Sequence, residues 1–221
     1  KTINCLMSIE WKTSSENVLY PDAVAFMEAR VADIYKKDVP DMVWALEHPA
    51  LYTAGTSANA QDLLSQDLPV FHTGRGGQYT YHGPGQRIYY IMLNLKEVFQ
   101  VPDIKKYIWM LEESIIQSLE MFNIKGERRA GRVGIWVVCP DGQEKKIAAI
   151  GVRVRHWVAY HGISVNLSPD LGAFSGIVPC GISEHGVTSF KDLGVDVTQE
   201  AFDNVYRESF LSVFNLPLLQ G

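Results

Sequence analysis

A chain of 221 residues, 47% hydrophobic and 20% charged, is long enough to bury its own core and too apolar to be disordered. Its formal net charge of -5 excludes a general nucleic-acid binder, and no apolar run approaches the roughly 20 residues that span a bilayer. Cys5, Cys139 and Cys180 lack metal-ligand spacing, which argues against a disulfide scaffold or a zinc site and for a reducing, cytoplasmic setting.

Ile3 to Trp11 reads as a first strand. Pro21 to Lys37 reads as a helix, with Val24, Met27, Val31 and Ile34 on one face. Pro21 suits its first turn, and Pro40 closes the segment. Met42 to Glu47 is a buried-strand candidate; His48-Pro49 turns it, and Leu51 to Gly55 reads as a short return. Asn59 to Leu68 is polar and irregular. Val70 to Thr73 reads as a strand feeding the most unusual stretch of the chain, Gly74 to Gln86.

That stretch holds five glycines and a proline among Arg75, Gln78, Thr80 and His82, with almost no aliphatic side chain, so it is not a core element. Glycine loses more conformational freedom on ordering than any other residue. An ordered glycine-rich bend therefore implies something that must approach its backbone. The apolar run Arg87 to Leu95 follows at once and pins the loop to a sheet, where ligand-binding loops sit.

Asp103 is placed to cap a helix whose buried stripe is Ile108, Leu111, Ile115, Leu119 and Phe122, and Gly126 ends it. Val133 to Val138 and Lys146 to Arg153 flank the turn Pro140-Asp141-Gly142 as a hairpin. Trp157 to Leu167 is a further strand, Ser168 to Ile182 a Gly- and Pro-rich loop, and Thr188 to Leu193 a short helical turn. Gln199 to Phe214 is a final helix capped by Thr198, with Phe202, Val205, Tyr206, Ser209 and Val213 on one side. There is no repeat or linker. The expected architecture over residues 1–221 is one α+β domain, a mixed, largely antiparallel sheet flanked by helices.

The chemistry centres on the cysteines. Cys5 lies in a strand-like run, and Cys139 sits beside a turn. Cys180 stands in Val178-Pro179-Cys180-Gly181-Ile182, between a rigid residue and a permissive one. Two readings stand side by side: a buried structural thiol, and a nucleophile facing a cavity. A nucleophile needs a nearby cation or base, and His82, His161, His185 and Lys146 are the candidates. Lys146 opens the apolar run Ile147-Ala148-Ala149-Ile150-Gly151, whose small residues let a ligand chain lie close to the sheet. Arg128, Arg129, Arg132, Lys145, Lys146, Arg153 and Arg155 form a basic span, read either as a landing surface for an acidic partner or as a solvated face.

Arg75-Gly76-Gly77, Thr80, His82-Gly83-Pro84-Gly85-Gln86, Lys146 to Gly151, His161-Gly162 with Asn166, and Pro179-Cys180-Gly181 before Thr188-Ser189 resemble the signature of bacterial octanoyltransferases, the lipoyl(octanoyl) transferases of protein lipoylation. Glu47-His48-Pro49 with Thr53 and Gly55 resembles the family's early motif, and the likeness runs from about Trp44 to Phe190. The resemblance implies a fold similar to biotin and lipoate ligases. It implies transfer of an octanoyl group from acyl carrier protein to a lysine ε-amine. The acceptors would be lipoyl domains of 2-oxoacid dehydrogenase complexes and the glycine cleavage H protein. No cofactor or metal is implied, and a monomer is expected. By the same resemblance Cys180 is the nucleophile and Lys146 lowers its pKa. Arg75, Gly76, Gly77, Gln78, Tyr79, Thr80, Tyr81, His82, Ala149, Ile150, Gly151, Gly162, Ile163 and Ser164 line the substrate site. Two rivals are an ATP-dependent lipoate or biotin ligase, which needs no cysteine nucleophile, and a non-catalytic carrier-binding module, which would bind without turnover.

Overall fold

The computed structural model describes residues 8–178 and 186–219. In chain order the strands are β1 (Ile9–Thr13), β2 (Asp41–Leu46), β3 (Leu51–Ala54), β4 (Val70–His72), β5 (Tyr79–His82), β6 (Gln86–Asn94), β7 (Glu127–Arg129), β8 (Arg132–Val138), β9 (Glu144–Arg155), β10 (Val158–Asn166) and β11 (Gly186–Val187). The helices are α1 (Tyr20–Lys36), α2 (Leu95–Val98), α3 (Ile104–Glu120) and α4 (Gln199–Phe214). The larger sheet runs β1-β2-β6-β10-β9-β8-β7. It is antiparallel except where β1 pairs with β2 and the short β11 with β9, so the mixed, largely antiparallel expectation holds.

Strand alternation builds the two faces. Val43, Ala45, Tyr89, Ile91 and Leu93 meet α3 and α4 on one side. Met42, Trp44, Ile88, Tyr90 and Met92 meet α1 on the other. With both faces covered, every residue of β6 is buried. The helices are closed as their end residues dictate. Asp103 accepts from the backbone N–H groups of Lys105 and Lys106 (2.8 and 3.1 Å), and Thr198 Oγ1 accepts from Ala201 N at 3.1 Å. Lys37, in the left-handed region at φ 66°, ends α1.

Three sequence expectations change. Leu51 to Gly55 does not return along the preceding strand. Instead β3 pairs with β4 and β5 in a separate three-stranded sheet. All four β3 residues are buried, and an edge hairpin does not cover both faces. Tyr79–His82, expected as loop, is that sheet's third strand; its Tyr-Thr-Tyr alternation was masked by the glycines around it. On α4 the buried residues are Phe202, Asp203, Tyr206, Phe210 and Phe214, while Val205, Ser209 and Val213 lie on the flanks.

Asp203 turns inward because Arg87 is there. Arg87 Nε and Nη2 donate to its two carboxylate oxygens at 2.9 and 2.6 Å, and Tyr89 Oη donates to Oδ1 at 2.6 Å. The Arg87 side chain is 1% exposed. This bidentate pair ties β6 to α4. The basic span, in contrast, is laced with carboxylates. Arg128 pairs with Glu112 and Glu113, Arg129 with Glu127 and Glu144, Arg132 with Glu144, and Lys145 with Asp141. The charge of Arg128, Arg129, Arg132 and Lys145 is thus balanced locally, which favours the solvated-face reading for that part of the span. No helix among the described residues is long and apolar enough to cross a membrane.

Candidate active site

Where the small sheet leans over the α1 face of β9 and β10, it leaves a cleft enclosing about 570 Å³, part of it open to solvent. Ligand pockets occupy about 300–1,000 Å³. Of the residues singled out from the sequence, Arg75, Gly76, Gly77, Gln78, Tyr79, Thr80 and His82 line it from the loop and β5. Ala149, Ile150 and Gly151 line it from β9, and Gly162, Ile163 and Ser164 from β10. Tyr81 does not. Alternation along β5 turns it onto Tyr52 and Phe174, with ring centroids 6.1 and 5.1 Å away. Tyr20, Ile88, Tyr90 and His161 also line the cleft. The signal for Ile88 and Tyr90 was their parity on β6; Tyr20, at the start of α1, carried none.

Arg75 holds the loop in shape. Its guanidinium donates to Thr53 Oγ1 and Thr53 O, and to the carbonyls of Gly76 and Gln78, at 2.7–3.2 Å. Gly76 N donates to Val152 O at 3.0 Å and fastens the loop to β9. Two glycines make this possible. Gly77 takes φ 86°, which side chains rarely adopt. At Gly55 a Cβ would lie 2.2 Å from Gly77 O.

Three imidazoles gather at one end. His48 Nδ1 donates to Val18 O (2.6 Å), because a carbonyl only accepts; its Nε2 therefore accepts from Tyr90 Oη at 2.7 Å. His82 Nδ1 lies 2.7 Å from Gln86 Oε1. His161 takes φ 62°, uncommon for a non-glycine residue inside a strand. That turn removes it from the α3/α4 face, where its neighbours Ala159 and Ile163 point, and stacks it on Tyr160 at 5.0 Å. Burial lowers the pKa of His48 to about 4 and of His82 and His161 to about 3. The Arg75 charge adds to the effect at His161 and, more weakly, at His82. At neutral pH all three are uncharged.

A β-bulge sets the heading of Lys146. Ile135 pairs with Ala148 but the next β8 residue, Trp136, pairs with Lys146, so Ile147 is the extra residue. Ile147 and Ala148 both enter the core under α3, and Ile150, Val152 and Val154 pack against that same core. Regular alternation would send Lys146 there too. The bulge turns it to the other face, into a hollow of about 310 Å³ that shares Thr80, Ala149 and Ser164 with the cleft. Lys146 is 8% exposed; its Nζ donates to Val133 O at 3.2 Å and lies 4.8 Å from the Trp136 ring centroid. Along the same strand edge β11 pairs Gly186 with Lys145 and Val187 with Lys146. Cys180, His185 and Cys5 lie outside the described residues. Cys139 is a buried free thiol.

Among the described residues no three His, Cys, Asp or Glu side chains are grouped to hold a metal ion. What the geometry offers is a floor of Ile88 and Ala149 with the bare backbone of Gly151 and Gly162, suited to an unbranched acyl chain. Neutral imidazoles and hydroxyls line it, and the buried Lys146 side chain lies in the adjoining hollow.

The lipoyl protein ligase A/B catalytic domain matches residues 20–211. The octanoyltransferase of Bartonella quintana (strain Toulouse) is 53% identical, with 97% of this chain and 90% of that protein covered. That of Paramagnetospirillum magneticum (strain ATCC 700264 / AMB-1) is 56% identical, covering 93% and 97%. Among solved structures, lipoate-protein ligase A bound with ATP superposes with a TM-score of 0.72 at 15% identity, over 96% of this chain and 88% of that one. That likeness speaks for the fold.

Proposed function

This chain belongs to the lipoyl protein ligase A/B catalytic family and transfers octanoyl groups in protein lipoylation, and from that premise we propose that transfer runs through a thioester on Cys180 favoured by the ammonium of Lys146. The donor is octanoyl-acyl carrier protein. The acceptor is a lysine ε-amine on the lipoyl domain of a 2-oxoacid dehydrogenase complex or on the glycine cleavage H protein. The setting is the cytoplasm and the working unit a monomer.

In the first step the Cys180 thiolate attacks the thioester carbonyl. A C–S bond forms to Cys180, the donor's C–S bond breaks, and the departing thiolate takes up a proton. One thioester replaces another, so the step is close to balanced. In the second step the amine attacks: a C–N bond forms, the Cys180 C–S bond breaks, and the nitrogen sheds a proton. An amide is more stable than a thioester, so no nucleotide is consumed, unlike in a ligase that activates a free acid. Lys146 favours the thiolate over the thiol, which is the attacking form. Arg75 to Thr80, His82, Ala149 to Gly151 and Gly162 to Ser164 hold the acyl chain and its carbonyl.

The observation that carries the reading is the bulge that turns a buried lysine from the core into a hollow sharing walls with an acyl-sized cleft. Intact-mass analysis after mixing with octanoyl carrier protein tests it. One octanoyl group should appear and map to Cys180, without ATP. Cys180→Ala should abolish both adduct and transfer, and Lys146→Gln should slow loading and move its pH dependence upward. Full transfer by Cys180→Ala would overturn the route.

A further inference from the structure

We infer that Gln86 and Asn166 are positioning residues that lock His82 as the Nδ1–H tautomer, leaving its Nε2 lone pair to accept a hydrogen bond in the cleft from the amine that receives the acyl group. The amine's identity rests on the function proposed above; the tautomer does not.

The chain of reasoning starts at a backbone carbonyl. Thr188 O only accepts, so Asn166 Nδ2 donates to it at 3.0 Å. Asn166 Oδ1 is thereby the acceptor facing Gln86 Nε2, also at 3.0 Å. Gln86 Nε2 lies 3.2 Å from Tyr81 O as well, another pure acceptor, which fixes the amide the same way round. Gln86 Oε1, 2.7 Å from His82 Nδ1, is left able only to accept. The proton therefore sits on Nδ1. The opposite tautomer would set two lone pairs against each other in a buried site, with Gln86 1% and Asn166 5% exposed.

Nε2 has no hydrogen-bond partner among the described residues, and His82 lines the cleft. A second proton there is disfavoured by burial, by His48, and by Arg75 and His161 nearby, and the pKa falls to about 3. Nε2 is thus a standing acceptor rather than a store of protons. An amine that donates one N–H to it keeps its own lone pair for the acyl carbon. The anchor of the lock is also informative. Thr188 N donates to Lys146 O at 3.0 Å, so the residue that sets the tautomer is bonded to the strand that presents the ammonium.

Long-range proton–nitrogen NMR on the full chain with labelled histidine, without substrate, reads the tautomer directly. His82, assigned by the signals lost in His82→Gln, should show a pyrrole-type Nδ1 and a pyridine-type Nε2. Asn166→Leu should give a mixture of tautomers. Asn166→Asp should keep the single form, because its Oδ1 still accepts from Gln86 and its protonated oxygen donates to Thr188. A protonated Nε2, or a mixture in the unaltered chain, overturns the lock, and that spectrum decides the matter even if Asn166→Leu does not fold. In single-turnover transfer from octanoyl-loaded protein, Asn166→Leu should slow the amine step about tenfold, the worth of one buried hydrogen bond, with Asn166→Asp restoring most of it. Equal slowing of acyl loading overturns the assignment to the amine. Absence of any cysteine adduct refutes the thioester route instead and leaves the spectrum to judge the lock.

Discussion

Replacing Asp203 by leucine removes the partner of a guanidinium that is 1% exposed at its side chain. Arg87 then keeps Gln199 Oε1 at 3.3 Å as a neutral acceptor, and Tyr89 Oη loses the carboxylate 2.6 Å away. An unpaired buried charge costs about 3–5 kcal/mol. The orphaned tyrosine hydroxyl adds roughly 1 kcal/mol, partly overlapping with that figure. A net loss of about 4 kcal/mol lowers the melting temperature of a chain this size by about 8–16 °C. Thermal and urea unfolding followed by circular dichroism measure it. The double variant Arg87→Met with Asp203→Leu should regain at least half of the loss, because no charge is left to solvate. A drop below about 3 °C for Asp203→Leu, or a double variant no more stable than the single one, would refute the reasoning.

Three further outcomes are expected. Asp41 accepts from Asn94 N in a buried setting that raises its pKa from 3.8 to about 7, so folding stability falls as pH rises between those values. Asp41→Asn should therefore gain about 3–4 kcal/mol more at pH 8 than at pH 4 in urea titrations; an equal effect at both would sink this. Gly55→Ala pushes a methyl to 2.2 Å from Gly77 O and 2.8 Å from Arg75 Nη1, displacing the loop over the cleft. Octanoyl transfer should fall about a hundredfold with only a small change in melting temperature, and near-normal turnover would count against the loop's role. Thr198→Ala removes the α4 cap bond to Ala201 N and should cost about 1 kcal/mol, read as a 2–4 °C drop in melting temperature.

Much of this molecule was legible in its residues because local rules agree with tertiary demands. Asp103 and Thr198 cap the helices they were expected to cap, since a short acceptor before an apolar period leaves the backbone few alternatives. The glycine stretch and Ala149 to Gly151 line one cleft, a meeting that the family resemblance implied and the residues alone did not. The small sheet was not legible. Its strands are three or four residues long, and their pairing depends on contacts with Phe174 and Ile177 far along the chain. The α4 stripe was misread because hydrophobicity alone cannot anticipate an aspartate drawn inward by Arg87. His161 was named as a candidate helper, but its route to the cleft was not legible: its exit from strand alternation is a backbone choice at φ 62° that no side-chain pattern announces. The face on which Lys146 stands was equally silent, because an extra residue in a ladder leaves no compositional trace.

That extra residue makes the hollow sensitive to length where it is tolerant of kind. Exchange Ile147 for another aliphatic and the ammonium keeps its heading. Delete it, and the ladder closes evenly with Lys146 and Ala148 as neighbours of opposite heading, so the cation keeps its face and only a core side chain is lost. One residue added between Ile135 and Trp136 of β8 would instead pair Ile147 evenly, reverse the parity of what precedes it and drive the cation among hydrocarbons beneath α3, with no polar residue having been changed.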